Sequence, residues 1–257
     1  MASITSGRNG RKKGTLAEVF DENLAAELFH LLWGQERNTV PTVVDYAYEA
    51  IWKRVILIGG GEEQRLSDVT LSEQLGISRT PVRQALERLV QEGLVRSDPR
   101  RGFWTSTFTA QDIHEIYDLR GALEALAVRL AAPRLSEEAV KAQLEALDAV
   151  RAELDTNPVL RFLQTDIRFH ILIARASNNG RLIHSLSMLR SQHTMFQMQD
   201  TYYPQRMEIA LHEHKQVLLA LQAGNVDEAA NRLTQHIQHA KEGVLADIFL
   251  ERKEGFS

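Results

Sequence analysis

The fold is decided by residues 66–104, LSDVTLSEQLGISRTPVRQALERLVQEGLVRSDPRRGFW. Leu71 and Gly76 predict a short helix that ends in a tight turn, and Ser78 predicts a side-chain N-cap for a second helix. Pro81 falls in the first turn of that second helix, where backbone N–H groups have no intrahelical partner, so proline does not interrupt it. Two helices joined by a glycine turn predict a helix-turn-helix.

The second helix has an apolar and a polar side at helical spacing. The apolar side comprises Val82, Ala85, Leu86 and Leu89, and the polar side comprises Thr80, Arg83, Gln84, Glu87 and Arg88. Arg79 and Arg83 are one turn apart near the N-terminus, the part of a recognition helix that reaches base edges in the major groove. The alternative is a basic amphipathic helix that only faces solvent.

Two short strands are predicted after Gly93, at residues 94–96 and 103–105, on either side of the turn Asp98-Pro99-Arg100-Arg101-Gly102. They complete a winged helix-turn-helix with a basic wing tip. Six arginines and three acidic residues lie between Gly76 and Trp104, which favours nucleic-acid binding over a merely solvated helix.

The run LGISRTPVRQALERLVQEGLV, with RRGF behind it, resembles the winged-helix domain of the GntR family of bacterial transcription regulators. The resemblance implies that Arg79 and Arg83 contact bases, that Thr80 contacts the DNA backbone, and that Gly102 directs the wing toward the minor groove. Arg101 is expected to contribute the basic wing tip. Some members have a third base-contacting arginine at the position where this chain has Val69. The resemblance therefore leaves the operator sequence open.

The composition predicts a mainly α protein of two domains. The chain has 257 residues, 44% of them hydrophobic, and a formal net charge of -4, so DNA affinity must come from the local arginine cluster. No apolar run approaches the ~20 residues that span a membrane, and no signal peptide is evident, so the protein is expected to be cytoplasmic and free of membrane contacts. The absence of cysteine leaves histidine and carboxylate as metal ligands.

Three segments are predicted along the chain: an N-terminal extension (1–40), the winged helix-turn-helix (41–107) and an all-helical bundle (108–257). Residues 1–14 are expected to be disordered, as a basic arm on DNA or as a solubilising tail. A helix of about five turns is expected from Thr15 to Trp33, packed on its own domain or on a dimer partner. The remaining helices are predicted at 43–58, 109–132, 136–155, 158–177, 180–199, 204–223 and 225–251.

Four potential ligands fall on apolar helix faces of the bundle. Asp166 and His170 are four residues apart and share one face, while His214 and His236 lie among apolar neighbours on two later helices. A single buried histidine is more often a satisfied core residue than a ligand. Three imidazoles and one carboxylate together predict a divalent metal site, with Zn expected first and Ni, Mn or Fe as alternatives.

The chain from Thr109 onward also resembles the FadR-type C-terminal ligand-binding (FCD) domain of GntR regulators, in the subgroup that binds metal. The resemblance implies that Asp166, His170, His214 and His236 are the ligands. It also implies an effector-binding role for Arg120, which precedes Glu124 by one turn in YDLRGALE, and for Asn179 in SNNG. A structural pair between Arg120 and Glu124, and a helix-cap role for Asn179, are the alternatives.

Together these patterns predict a homodimeric transcription regulator that binds double-stranded operator DNA and is controlled by a small organic acid at the metal site. We expect the protein to repress transcription and the effector to relieve that repression. The alternatives are a metal-dependent hydrolase-type enzyme, for which neither an HExxH motif nor an added general base is evident, and a metal sensor without an organic effector.

Overall fold

A computed structural model describes residues 14–15, 21–33, 40–61, 63–156, 158–197, 201–202 and 204–254. The protein is mainly α, as predicted, with ten α-helices in the described residues. The helices are α1 Glu22–Trp33, α2 Val43–Ile58, α3 Asp68–Leu75, α4 Arg79–Gln91, α5 Ala110–Ala131, α6 Glu137–Ala152, α7 Val159–Ala176, α8 Gly180–Gln197, α9 Pro204–Gln222 and α10 Val226–Glu254. A 3-10 turn, Leu154–Thr156, follows α6.

Two small antiparallel sheets accompany the helices. The strands are β1 Gly14–Thr15, β2 Arg65–Leu66, β3 Val95–Asp98, β4 Gly102–Thr105 and β5 Thr201–Tyr202. In the three-stranded sheet β4 lies between β2 and β3, and Asp98 pairs with Gly102 across the turn. The predicted wing is therefore present, and β2 extends it to three strands.

The helix-turn-helix follows the predicted pattern with one difference. Gly76 ends α3 in the left-handed conformation (φ 66°), which glycine adopts without the steric cost that a Cβ would bring. Ser78 occupies the N-cap position of α4, but its side chain makes no capping hydrogen bond, so that part of the prediction is wrong. The apolar side of α4 is buried as predicted.

The N-terminal helix is shorter than predicted. Thr15 pairs with Thr201 in a strand, residues 16–20 lie outside the described residues, and α1 starts after Asp21, whose carboxylate accepts a hydrogen bond from the Leu24 N–H at 2.9 Å. An N-cap aspartate fixes the start of a helix because it satisfies an orphan backbone donor. The prediction for residues 1–14 falls outside the described residues except at Gly14.

Helix α1 packs on its own chain and bridges the winged region and the bundle. Phe29 lies edge-on to Trp52 of α2, with ring centroids 5.3 Å apart. On the other side, Arg175 of α7 donates to the Leu31 carbonyl at 2.5 Å and Ser187 of α8 donates to the Leu32 carbonyl at 3.3 Å. Of the two alternatives that the sequence left open, the structure shows packing of α1 on its own chain.

The helices from α5 onward form the all-helical bundle. Thr109 starts α5 with a reciprocal capping box to Asp112, and α5 packs along α10, α7 and α8. The core runs from the winged region through α1 into the bundle, and a second cluster of buried residues surrounds Tyr117 and Phe196. No helix in the described part of the chain is long and apolar enough to cross a membrane.

We expect Phe29→Ala to destabilise the protein by about 3–5 kcal/mol, because it removes an aromatic ring from a filled core. Thermal unfolding measures the effect, with Asn23→Ala on the exposed side of α1 as the control. The mass in solution should stay the same. An unchanged melting temperature in Phe29→Ala would show that α1 does not pack on its own chain.

Candidate functional site

Three imidazoles and one carboxylate from three helices meet inside the bundle. Asp166 and His170 on α7, His214 on α9 and His236 on α10 each place one ligand atom within 4.8 Å of the others. The Nε2 atoms of His214 and His236 are 3.0 Å apart, and Asp166 Oδ1 lies 3.7 Å from the Nε2 atoms of both His170 and His214. Metal–ligand bonds of ~2.1 Å separate neighbouring ligand atoms by about 3.0–3.4 Å, so these separations are close to those of a coordinated ion.

Two glutamates orient two of these imidazoles. Glu124 of α5 bonds to Nδ1 of His170, and Glu213 of α9 bonds to Nδ1 of His236 at 2.8 Å. A carboxylate on Nδ1 fixes the ring and leaves the Nε2 lone pair for a metal. The sequence pattern contained both glutamates, but the partner of each depends on the tertiary packing.

The protonation states suit metal binding. Burial holds the pKa of the His214 and His236 imidazoles below the usual value, so both are neutral at physiological pH. Burial works against ionisation of Asp166, but His170 and Arg190 outweigh it and hold the pKa of the Asp166 carboxyl well below its usual value. Neutral imidazoles and an ionised carboxylate are the forms that coordinate a divalent cation.

A cavity of about 90 Å³ is lined by three of the four ligands, Asp166, His170 and His236. Its polar wall includes Arg120 of α5 and Arg190 of α8, and apolar side chains such as Phe162 and Met207 line the remainder. At ~10–15 Å³ for each water-sized group, this volume holds about six to nine non-hydrogen atoms. The cavity can therefore hold a small organic acid.

Arg120 faces inward as predicted, at 2% exposure, but its Nε and Nη2 atoms both donate to Glu124 Oε1, at 3.1 and 3.0 Å. The Arg120 guanidinium forms the structural pair with Glu124, and it also lines the cavity, where an effector-binding role would place it. Despite burial, His170 and Arg120 hold the pKa of Glu124 far below its usual value, so this carboxylate is charged.

Sequence reasoning missed Arg190, a second buried arginine of the cavity. Its Nη1 donates to Asp166 Oδ2 at 3.3 Å, and its Nη2 has no hydrogen-bond partner among the described residues. His193, one turn later and also on the cavity wall, is 2.8 Å from the Tyr117 hydroxyl through Nε2, and its buried Nδ1 is likewise unpartnered within the described structure. Arg190 Nη2 is a buried donor without a partner in the described structure, which is costly, so it can donate a hydrogen bond to an anion in the cavity.

The structure places Asn179 at the start of α8, where its side-chain oxygen accepts a hydrogen bond from the Leu182 N–H at 3.2 Å. It is not among the residues that line the cavity. The geometry favours the helix-cap alternative for this residue.

The side of α8 opposite the cavity contacts the winged region. Ser191 accepts a hydrogen bond from the Trp52 indole at 3.3 Å, and Gln192 donates to the Glu92 carbonyl at 2.8 Å. The Met195 carbonyl accepts from the Gly60 N–H at 2.8 Å. One helix therefore contacts both the cavity and the segment that carries α4.

The DNA-facing residues predicted on α4 are exposed on one surface. Arg79 and Arg83 have side-chain exposures of 58% and 52%, and Thr80 is exposed beside them. Both guanidinium groups donate to Asp68 Oδ2 on α3, at 2.9 and 3.3 Å, an ion-pair set that the spacing along the chain did not suggest. The hydrogen bond from Arg79 lowers the pKa of Asp68.

The wing tip is shaped by Asp98 and Gly102. Asp98 Oδ1 accepts hydrogen bonds from the Arg100 and Arg101 N–H groups, at 2.7 and 2.9 Å, and Gly102 has φ 84°, which disfavours a side chain. The Arg101 guanidinium carbon lies 4.7 Å from the centroid of the Trp104 ring. Arg100, Arg101 and Gly102 are all exposed at the tip.

Two family models match the chain: "Bacterial regulatory proteins, gntR family" over residues 47–104 and "FCD domain" over residues 115–239. The chain is 30% identical over 188 residues to the Nta operon transcriptional regulator of Aminobacter aminovorans, covering 72% of this chain and 86% of that protein. It is 30% identical over 173 residues to a probable D-xylose utilization operon transcriptional repressor of Paenarthrobacter nicotinovorans, covering 66% and 74%.

The fold is similar to the solved structure of McbR/YncC of Escherichia coli, with a TM-score of 0.65 at 22% identity over 80% of this chain and 98% of that chain. The winged helix-turn-helix, the helical bundle and the relatives agree, and the chain belongs to the GntR family of bacterial transcription regulators, with a GntR DNA-binding domain and an FCD domain.

Proposed function

We propose that the protein is a cytoplasmic, homodimeric repressor whose operator binding is controlled by a small carboxylate bound beside a divalent metal in the bundle. One observation carries this proposal: three of the four clustered metal-ligating groups and two buried arginines line a cavity whose wall, α8, also contacts the winged region. The relatives named above are regulators, which favours a regulator over a metal-dependent enzyme.

In the winged region we assign base reading to Arg79 and Arg83, and backbone contacts to Thr80, Arg101 and Gly102. Support comes from their exposure on one surface and from the arginine fork, which matches the O6 and N7 acceptors of guanine. A two-fold dimer reads two half-sites about one helical turn apart, or a multiple of it, so a change in the spacing of the winged regions alters operator fit.

We expect Arg83→Ala to remove the preference for the operator over random DNA, because a bidentate arginine–guanine contact contributes ~1–3 kcal/mol of discrimination. Arg101→Ala should weaken binding to both DNAs and reduce the slope of log K against log salt by about one unit. Salt titrations of DNA binding distinguish the two, with Arg134→Ala in the bundle as the control. An equal loss on operator and random DNA in Arg83→Ala would contradict base reading by Arg83.

The residues that would hold the metal are Asp166, His170, His214 and His236. Their converging Nε2 and carboxylate atoms fit a Zn, Ni, Mn or Fe ion, and the bonds from Glu124 and Glu213 to ring Nδ1 atoms fit such a site better than a plain core. When bound, the metal supplies positive charge and open coordination positions for an anion. Without a metal, these four residues would place three imidazoles around one carboxylate with no cation between them.

We expect His214→Ala to lower metal occupancy and to abolish the thermal stabilisation that metal gives the wild-type protein, because a ligand that binds only the folded form stabilises it. The matched control is His212→Ala, two residues away on the exposed side of α9. Elemental analysis and thermal unfolding with and without chelator provide the measurements. Equal metal content in His214→Ala and wild type would contradict the ligand assignment.

The carboxylate of the effector is assigned to the wall that Arg190 and Arg120 form beside the metal ligands. Arg190 offers the buried Nη2, and burial together with the like charge of Arg120 lowers the pKa of Arg190, so an anion between the two arginines relieves their repulsion. Arg190 lies on one side of α8 and Gln192 on the other. A shift of α8 on acid binding would therefore also move the contact between Gln192 and the winged region.

We expect Arg190→Gln and Arg120→Ala each to weaken the binding of lactate, a simple monocarboxylate probe, by about tenfold or more, since a hydrogen bond to a charged group contributes ~1.5–3 kcal/mol. Metal content should stay close to that of wild type. Calorimetric titration measures the affinity, and Arg181→Gln on the exposed side of α8 is the control. If chelator-treated protein binds lactate as tightly as metal-loaded protein, control of acid binding by the metal is excluded.

A further inference from the structure

A glycine in the middle of α10 has a specific neighbour. Gly243 lies well inside the helix, where glycine is a poorer choice than any residue except proline. A Cβ built at this position would lie 2.0 Å from Arg206 Nη2, 2.7 Å from its Cζ and 3.0 Å from its Nε. Any side chain at residue 243 would therefore displace the Arg206 guanidinium, and the glycine provides the space that this group occupies.

Arg206 belongs to the same cavity as the metal ligands. It lies in the first turn of α9 and lines the cavity together with Arg190, His236, Met207 and Val244. A guanidinium has five N–H donors in a fixed fork, so it can bind a carboxylate while it keeps other contacts. The cavity thus has a third arginine besides Arg120 and Arg190, and apolar side chains also line it.

Arg206 is separated along the helices from the level of the metal ligands. Arg206 precedes His214 by eight residues on α9, and Gly243 follows His236 by seven residues on α10. At 1.5 Å per residue, both lie about 11 Å along the bundle from the imidazoles. The unpartnered Arg190 Nη2, by contrast, belongs to the guanidinium that bonds to Asp166, at the level of the metal ligands.

We propose that the effector is a short dicarboxylic acid, with one carboxylate at Arg190 and the second at Arg206, and that Gly243 exists to seat the Arg206 guanidinium at the far end of the cavity. This proposal rests on the proposed function, because it specifies the acid that the cavity takes. Subtracting about 3 Å for a hydrogen bond at each end leaves about 5 Å between the carboxylate oxygens, which suits a chain of about four or five carbons. The apolar wall at Phe162, Met207 and Val244 contacts the methylene groups between the carboxylates.

The test compares succinate with butyrate, which has the same number of carbons and only one carboxylate. Calorimetric titrations use the metal-loaded wild type, Gly243→Ala, Arg206→Gln and the control Gly180→Ala, whose added Cβ meets no atom within 4 Å. We expect wild type and Gly180→Ala to prefer succinate by about tenfold or more. Gly243→Ala and Arg206→Gln should lose that preference while their butyrate affinity and metal content stay unchanged.

Thermal unfolding in the absence of added acid shows whether a loss of the succinate preference results from a less stable protein. Alanine is the better helix former and the displaced group is the end of a flexible side chain, so Gly243→Ala should melt no lower than wild type. Equal affinity of wild type for succinate and butyrate would overturn the proposal while leaving a monocarboxylate effector intact. A succinate preference retained in Gly243→Ala and Arg206→Gln would overturn the role of these residues. If neither acid binds metal-loaded protein, both this proposal and the carboxylate effector are wrong.

Discussion

The bundle depends on the compensation of buried charge around Glu124. This carboxylate accepts from Arg120 and contacts His170, while Arg190 bonds to Asp166 one layer away. An isolated ion in such a place would cost several kcal/mol, so each charge requires its partner, and removal of one member leaves another uncompensated. The network fixes the rotamers of the residues that face the cavity. The proposed binding of a cation and an anion there would change the same electrostatic balance that holds α5, α7 and α8 together.

Helix α8 connects this network to the rest of the molecule because its two sides face different partners. Arg190 and His193 face the cavity, while Ser191 and Gln192 bond to residues of the winged region. Adjacent positions on a helix point about 100° apart, so a rotation or small shift of α8 moves both sets together. Helix α1 adds a second bridge through the Leu31 and Leu32 carbonyls, so the winged region is attached to the bundle on two sides.

The sequence predicted those features that depend on local periodicity and on residue type. The bounds of α2, the buried side of α4 and the inward faces of the four proposed ligands all follow from 3.6-residue spacing with strong end signals. Features that depend on which helix packs beside which were not predictable. Arg190 is one polar residue in a helix of mixed composition, and only the fold brings it to Asp166. The start of α1 was misplaced because apolar spacing continues through residues 16–20, whereas the Asp21 cap sets the boundary.

The pairing of Arg79 and Arg83 with Asp68 orders the proposed DNA-contacting surface without burying it. The two arginines share one carboxylate oxygen and are more than half exposed. Exposed ion pairs of this kind contribute ~0–1 kcal/mol, whereas one bidentate base contact contributes ~1–3 kcal/mol to discrimination. If these arginines contact bases as proposed, DNA would displace Asp68 at small cost at a matching site. At a mismatched site the base contact is lost and the guanidinium groups stay with Asp68, so discrimination between operator and random DNA would come from the base contact, less the small cost of breaking the ion pairs.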